Sequence, residues 1–121
     1  MARKKILIVD DEEILRMLIA DTLEFEGYTI EEAEDGQEGY RKIADNQYDL
    51  VLLDYMMPHM TGMEVLEKMQ PLALEVPVIM LTAKAQQADR EMAHQYGANY
   101  FMPKPFSPAE LVTLIKQILG D

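Results

Sequence analysis

The chain contains no cysteine, which excludes disulfides and thiolate metal sites and fits a cytoplasmic setting without requiring one. Basic residues are scarce: 11 Lys and Arg stand against 22 Asp and Glu, for a formal charge of -11. Such a balance repels phosphate backbones and anionic lipid surfaces, so neither direct nucleic-acid binding nor membrane association is expected. No apolar run reaches membrane length. The basic start Arg3-Lys4-Lys5 leads only to Ile6-Leu7-Ile8-Val9 before acids follow, too short for a signal peptide or a span. No Gly-x-Gly-x-x-Gly follows that run, and Gly36 and Gly39 form no phosphate cradle, which argues against dinucleotide binding. No linker or repeat divides the 121 residues, which read as a single domain, 1–121.

What the chain does have is a series of short apolar runs, each ending on a polar residue. Leu50-Val51-Leu52-Leu53 is too short for a helix and has the composition of a strand covered on both faces; it stops at Asp54. Ile6 to Val9 stops at Asp10 and Asp11, and Pro77-Val78-Ile79-Met80-Leu81 stops at Thr82 and Ala83. Tyr28 to Ala33 reads as a further strand with Glu31, Glu32 and Glu34 as a solvated edge. Asn99-Tyr100-Phe101-Met102 leads to Pro103-Lys104-Pro105, where two prolines restrict the backbone around one lysine.

Helical spacing fills the intervals. From Glu12 the spacing predicts a helix with Leu15, Leu18, Ile19 and Leu23 on its core face and Gly27 as its stop. Asp35-Gly36 opens a second, carrying Tyr40, Ile43 and Ala44. Thr61-Gly62-Met63-Glu64 has capping-box spacing for a third through Met69, closed by Pro71. Ala85 to Tyr96 forms a polar fourth, ended by Gly97. Ser107-Pro108-Ala109-Glu110 starts a fifth, with Leu111, Leu114, Ile115 and Ile118 inward and Val112 and Leu119 off the core stripe. Five strands alternating with five helices, joined by right-handed crossovers, make an α/β, doubly wound parallel sheet. Its ligand crevice lies beyond the carboxyl ends of the strands, where Asp10, Asp11, Asp54, Thr82 and Lys104 collect.

Each of these residues has a plain structural role open to it. Asp54 could close a turn or cap a helix, Asp10 and Asp11 could cap the first helix, Thr82 the fourth, and Lys104 could be a surface cation. Together they suggest more. Carboxylates sharing one crevice favour a divalent cation, and hard oxygen ligands suit Mg2+. With a hydroxyl and an ammonium to take up charge, a carboxylate there can act as nucleophile in phosphoryl transfer. His59 and His94 have no metal-type partner nearby and read as surface residues. Met56, Met57, Met60, Met63 and Met69 read as packing and loop residues, since thioethers are soft ligands.

In order and spacing, Asp10-Asp11, Asp54 followed by Pro58 and Gly62, Thr82-Ala83 and Lys104-Pro105-Phe106 resemble the receiver domain of bacterial two-component response regulators, along the whole chain. The resemblance implies a flavodoxin-like fold with strand order 2-1-3-4-5. It implies phosphorylation of Asp54 by a histidine kinase or phosphotransfer protein, with Mg2+ held by Asp11, Asp54 and the Met56 carbonyl and by Asp10 through water. Thr82, the Ala83 amide and Lys104 would contact the phosphoryl group, and the Lys104-Pro105 peptide would be cis. Thr82 and Phe101 would form the switch, Phe101 standing where the family often has tyrosine. Met56 and Lys84 would tune the phosphate lifetime. The domain would catalyse its own phosphorylation and dephosphorylation without being a metabolic enzyme. It would signal to a downstream protein or a second copy through the fourth helix, last strand and fifth helix. Two rivals remain: an unphosphorylated interaction module, and a Mg2+-dependent aspartyl phosphatase, whose Asp-x-Asp pattern is broken here by Met56.

Overall fold

The three aliphatic runs, Ile6 to Val9, Leu50 to Leu53 and Val78 to Leu81, become strands because each residue in them can be covered on both faces. The computed structural model describes residues 3–83 and 90–120. Its elements alternate as β1 (Lys5–Val9), α1 (Glu13–Phe25), β2 (Thr29–Ala33), α2 (Gly36–Asp45), β3 (Leu50–Asp54), α3 (Gly62–Met69), β4 (Val78–Thr82), α4 (Arg90–Gln95), β5 (Tyr100–Pro103) and α5 (Pro108–Leu119), with a short 3-10 turn at Gln70–Leu72. All strand pairs are parallel and the order is β2-β1-β3-β4-β5. This is the expected doubly wound sheet.

Alternation along each strand divides the core into two layers. Leu7, Val9, Val51, Leu53, Val78 and Met80 face α2, α3 and α4, meeting Ile43, Val65, Leu66 and Ala93. Ile6, Ile8, Leu50, Leu52, Ile79 and Leu81 face α1 and α5, meeting Ile19, Leu23, Leu111 and Ile115. Every residue of β3 and β4 is buried, and each such aliphatic side chain contributes about 1.5–3 kcal/mol of burial.

Helix starts follow the local chemistry. The Asp35 side chain accepts from the Glu38 N–H at 2.8 Å, and Ser107 Oγ from the Glu110 N–H at 3.1 Å. Thr61 and Glu64 form the reciprocal capping box.

The helix faces depart from expectation at several places. Leu18 is 51% exposed, and the inner face of α1 is Ile19, Ala20 and Leu23. Ala44 is exposed while Gly36 and Gly39 are buried. A Cβ at Gly39 would lie 2.7 Å from Val9 Cγ1, so the missing side chain lets α2 settle on β1 and rotates its buried face. Val112 and Leu119 are half-buried and pack on the α1/α5 layer. The fourth helix is Arg90–Gln95, with Gly97 following at φ 111 as its stop; the expected start at Ala85 lies outside the described residues. Of the edge glutamates Glu34 is exposed as expected, whereas Glu31 and Glu32 are half-buried, Glu31 pairing with Lys5 at 2.7 Å and Glu32 with Arg16 at 3.0 Å. The Lys5 ammonium holds the Glu31 carboxyl below its ordinary value.

Candidate functional site

Among the described residues the buried polar or charged side chains are three: Asp10, Asp54 and Thr82. They stand at the carboxyl ends of β1, β3 and β4. Charged side chains are buried when something compensates for lost water, and for Asp10 and Asp54 the compensation is an ammonium. Lys104, one residue past β5, places Nζ 3.2 Å from Asp54 Oδ1, 3.2 Å from Glu12 Oε1 and 3.5 Å from Asp10 Oδ2.

Backbone contacts set each of these positions. The Asp10 N–H donates to the Ala33 carbonyl at 3.1 Å, which ties the end of β1 to β2. Asp10 Oδ1 accepts from the Glu12 N–H at 2.8 Å, closing the turn into α1. Asp10 is therefore not the helix cap; that position is Glu12, whose side chain makes no capping bond. Arg16, one turn into α1, donates from Nη1 to the Asp10 carbonyl at 2.7 Å while its Nε holds Glu32. At the tip of β3 the Tyr55 N–H donates to Leu81 and the Gly62 N–H to the Tyr55 carbonyl. A Cβ at Gly62 would lie 2.4 Å from the Asp54 carbonyl oxygen, so only glycine permits this close return of the chain. The Lys104 N–H donates to the Thr82 carbonyl at 2.7 Å, and the Lys104-Pro105 peptide is cis.

Burial, then the charge of Asp10, pushes the Asp54 carboxyl up to about 7 against the pull of Lys104. Burial also raises Asp10, although the Glu12 N–H and Lys104 pull it down. Burial works against the Lys104 ammonium, but the Asp54 and Asp10 charges outweigh it and hold its pKa above the ordinary value. One cation is thus shared among more carboxylates than it can neutralise. Among the described residues Asp10 Oδ2 has no hydrogen-bond donor, its 3.5 Å approach to Lys104 being an ion-pair separation.

Carboxylate oxygens of Asp10, Glu12 and Asp54 lie within 4.8 Å of one another, a hard-oxygen donor set that fits a divalent cation. Asp11 is exposed and lies outside that group; with Arg16, Asp35, Pro58 and His59 it lines an open crevice of about 300 Å3. A larger hollow, about 480 Å3, lies at the opposite end of the sheet beside Asn46, Tyr48, Glu75 and Pro77, away from these carboxylates. The Met56 side chain is 56% exposed. Ala83 follows the end of β4, and Lys84 lies outside the described residues. Phe101 is half-buried, opposite Met80 in the ladder and packed on the α2/α3 layer. His59, at φ 70, and His94 are exposed as expected. Met57, Met63 and Met69 are core residues. The sequence reading passed over Glu12 and Arg16. Arg16 had a signal, being the one basic residue within α1; Glu12 had none, because its partner is 92 residues away.

Comparison with known proteins accounts for this arrangement. A family model described as the response regulator receiver domain matches residues 6–116. The phosphate regulon transcriptional regulatory protein PhoB of Pseudomonas aeruginosa is 42% identical over 98% of this chain and 53% of its own length. The transcriptional regulatory protein ResD of Bacillus subtilis is 44% identical over 95% of this chain and 48% of its own length. The chain thus spans about half the length of these curated relatives. A crystal structure of a CheY-like response regulator receiver domain protein from Methanospirillum hungatei JF-1 superposes with a TM-score of 0.92 at 36% identity, covering 98% of this chain and 95% of that one. Sequence match and superposition both extend over nearly the full length, and the chain belongs to the response regulator receiver domain family.

Proposed function

We propose that this domain is a phosphorylation-activated switch in which Asp54 receives a phosphoryl group from a histidine kinase or phosphotransfer protein, in a Mg2+-dependent reaction. The observation that carries the reading is that, among the described residues, the buried polar side chains are Asp10, Asp54 and Thr82 at neighbouring strand tips, with Lys104 against the two carboxylates. An Asp54 oxygen attacks phosphorus, the bond from phosphorus to the donor nitrogen breaks, and the donor imidazole leaves with the electron pair. Asp54 must be ionised to attack, and its raised pKa makes that form depend on added positive charge nearby. Lys104, the Thr82 hydroxyl and the Ala83 amide take up charge on the transferred oxygens. Asp11, Asp54 and the Met56 carbonyl would hold Mg2+, with Asp10 acting through water. Bound there, Mg2+ supplies charge neutralisation for the attacking and transferred oxygens.

Thr82 then turns toward the new charge and Phe101 moves into the space it leaves. The changed α4-β5-α5 face binds a downstream protein or a second copy. At a charge of -11 the domain itself does not contact nucleic acid. The setting is cytoplasmic, and among the described residues no helix is long and apolar enough to cross a membrane. The aspartyl phosphatase reading is disfavoured by Met56, which offers no carboxylate two residues after Asp54. The test uses intact mass after incubation with acetyl phosphate and Mg2+. The parent gains one phosphoryl group and Asp54→Asn, still folded, gains none; a parent that stays unlabelled would leave the interaction module as the reading.

A further inference from the structure

Lys104 has three acidic partners, and they are not equivalent. The side chains of Asp10 and Asp54 are 0% and 6% exposed, whereas Glu12 is 61% exposed. Water can replace Glu12 at the ammonium and cannot readily replace the other two, so Glu12 is the partner that can let go. An arriving phosphoryl group brings oxygens that need the same Nζ–H donors, and Lys104 has only three. The backbone gives Glu12 little freedom to drift away, since its N–H is bound to Asp10 Oδ1 at 2.8 Å.

We propose that Glu12 is a positioning residue that tethers Lys104 in the resting domain and acts as a brake on phosphorylation of Asp54. This rests on Asp54 being the phosphoacceptor. In the transfer from acetyl phosphate, an ionised Asp54 oxygen forms the new bond to phosphorus, the phosphorus–oxygen bond to the acetyl group breaks, and acetate leaves with the electron pair. Lys104 must turn from Glu12 to the transferring oxygens for that step, and the tether opposes the turn. The metal ligands proposed above, Asp11, Asp54 and the Met56 carbonyl, do not include Glu12, so the tether and the metal are tested separately.

The experiment compares the rate of Asp54 labelling by acetyl phosphate in the parent, Glu12→Gln, Glu12→Asp and Glu13→Gln, with Mg2+ affinity measured on each. Glu13 is exposed at the start of α1 and serves as the charge control. Glu12→Gln is expected to label about two- to fivefold faster, the worth of a partly exposed ion pair, with the gain shrinking at high salt. Glu12→Asp keeps the charge but is one methylene too short to hold Nζ, and should match Glu12→Gln; Glu13→Gln should match the parent. A Glu12→Asp rate equal to the parent would reduce the effect to charge repulsion and overturn the tether, as would equal rates for parent and Glu12→Gln. Loss of Mg2+ affinity in Glu12→Gln would make Glu12 a metal ligand and also overturn it. A parent that labels nowhere, or elsewhere than Asp54, would instead sink the underlying assignment.

Discussion

Replacing Asp54 with asparagine should make the metal-free domain more stable, and the gain should depend on pH. In the folded chain burial and the Asp10 charge push the Asp54 carboxyl from its ordinary 3.8 up to about 7. At about 1.4 kcal/mol for each tenfold change, holding it ionised costs about 4 kcal/mol at neutral pH. The sign follows from the raised value. Protonated Asp54 carries no such cost, so its contribution to stability is fully present below the unfolded value and is lost as pH rises through about 7. Asparagine never ionises and escapes the loss, but its buried amide returns about 1–3 kcal/mol for imperfect hydrogen bonding. The net expectation is a gain of about 1–3 kcal/mol at pH 8 that fades toward pH 4. Urea unfolding in the presence of a chelator, at both pH values, measures it; titrating groups other than Asp10 and Lys104, which feel the Asp54 charge, are common to the two proteins and cancel. An Asp54→Asn protein less stable than the parent at pH 8, or equally stabilised at pH 4 and pH 8, would refute the electrostatic account of the site.

Millimolar Mg2+ should raise the melting temperature of the parent and leave Asp11→Ala unmoved, because the proposed ion site needs Asp11 together with Asp54 at the folded strand tips, a pairing the unfolded chain lacks; no shift in the parent would count against a metal at this edge. Gly62→Ala should cost about 1–3 kcal/mol or more in urea unfolding, since its Cβ meets the Asp54 carbonyl oxygen at 2.4 Å; a neutral substitution would show that the strand tip yields freely. The exposed Met56 side chain offers no group to orient water, so Met56→Asn should speed loss of the phosphoryl group, and an unchanged lifetime would remove Met56 from tuning that lifetime.

The strands and the site edge were legible because their signals are local. Four aliphatics ending on one carboxylate leave few alternatives for Leu50 to Asp54, and the Thr61/Glu64 capping box announces α3 from spacing alone. Helix faces were harder to read. In α1 both Leu18 and Ala20 satisfy helical spacing, and contact with the sheet decides that the small Ala20 turns inward and the larger Leu18 outward. In α2 the deciding residue is Gly39, whose value to packing lies in the side chain it lacks, so apolar spacing points to Ala44 instead. Glu12 and Arg16 act through partners brought near only by folding: Lys104 from β5's loop, and the Asp10 carbonyl together with Glu32 on the neighbouring strand. The Glu12 contact with Lys104 and the Arg16 contact with Glu32 follow from the packing around the open sheet and cannot be read from sequence spacing.

The most direct test of the central claim is chemical mapping of the phosphorylated residue. After incubation with acetyl phosphate and Mg2+, borohydride reduction converts an aspartyl phosphate to homoserine, and peptide mass spectrometry reads its position. The account predicts homoserine at position 54 and nowhere else in the chain. Homoserine at position 10 or 11 instead, or a labelled protein that yields none, would contradict it.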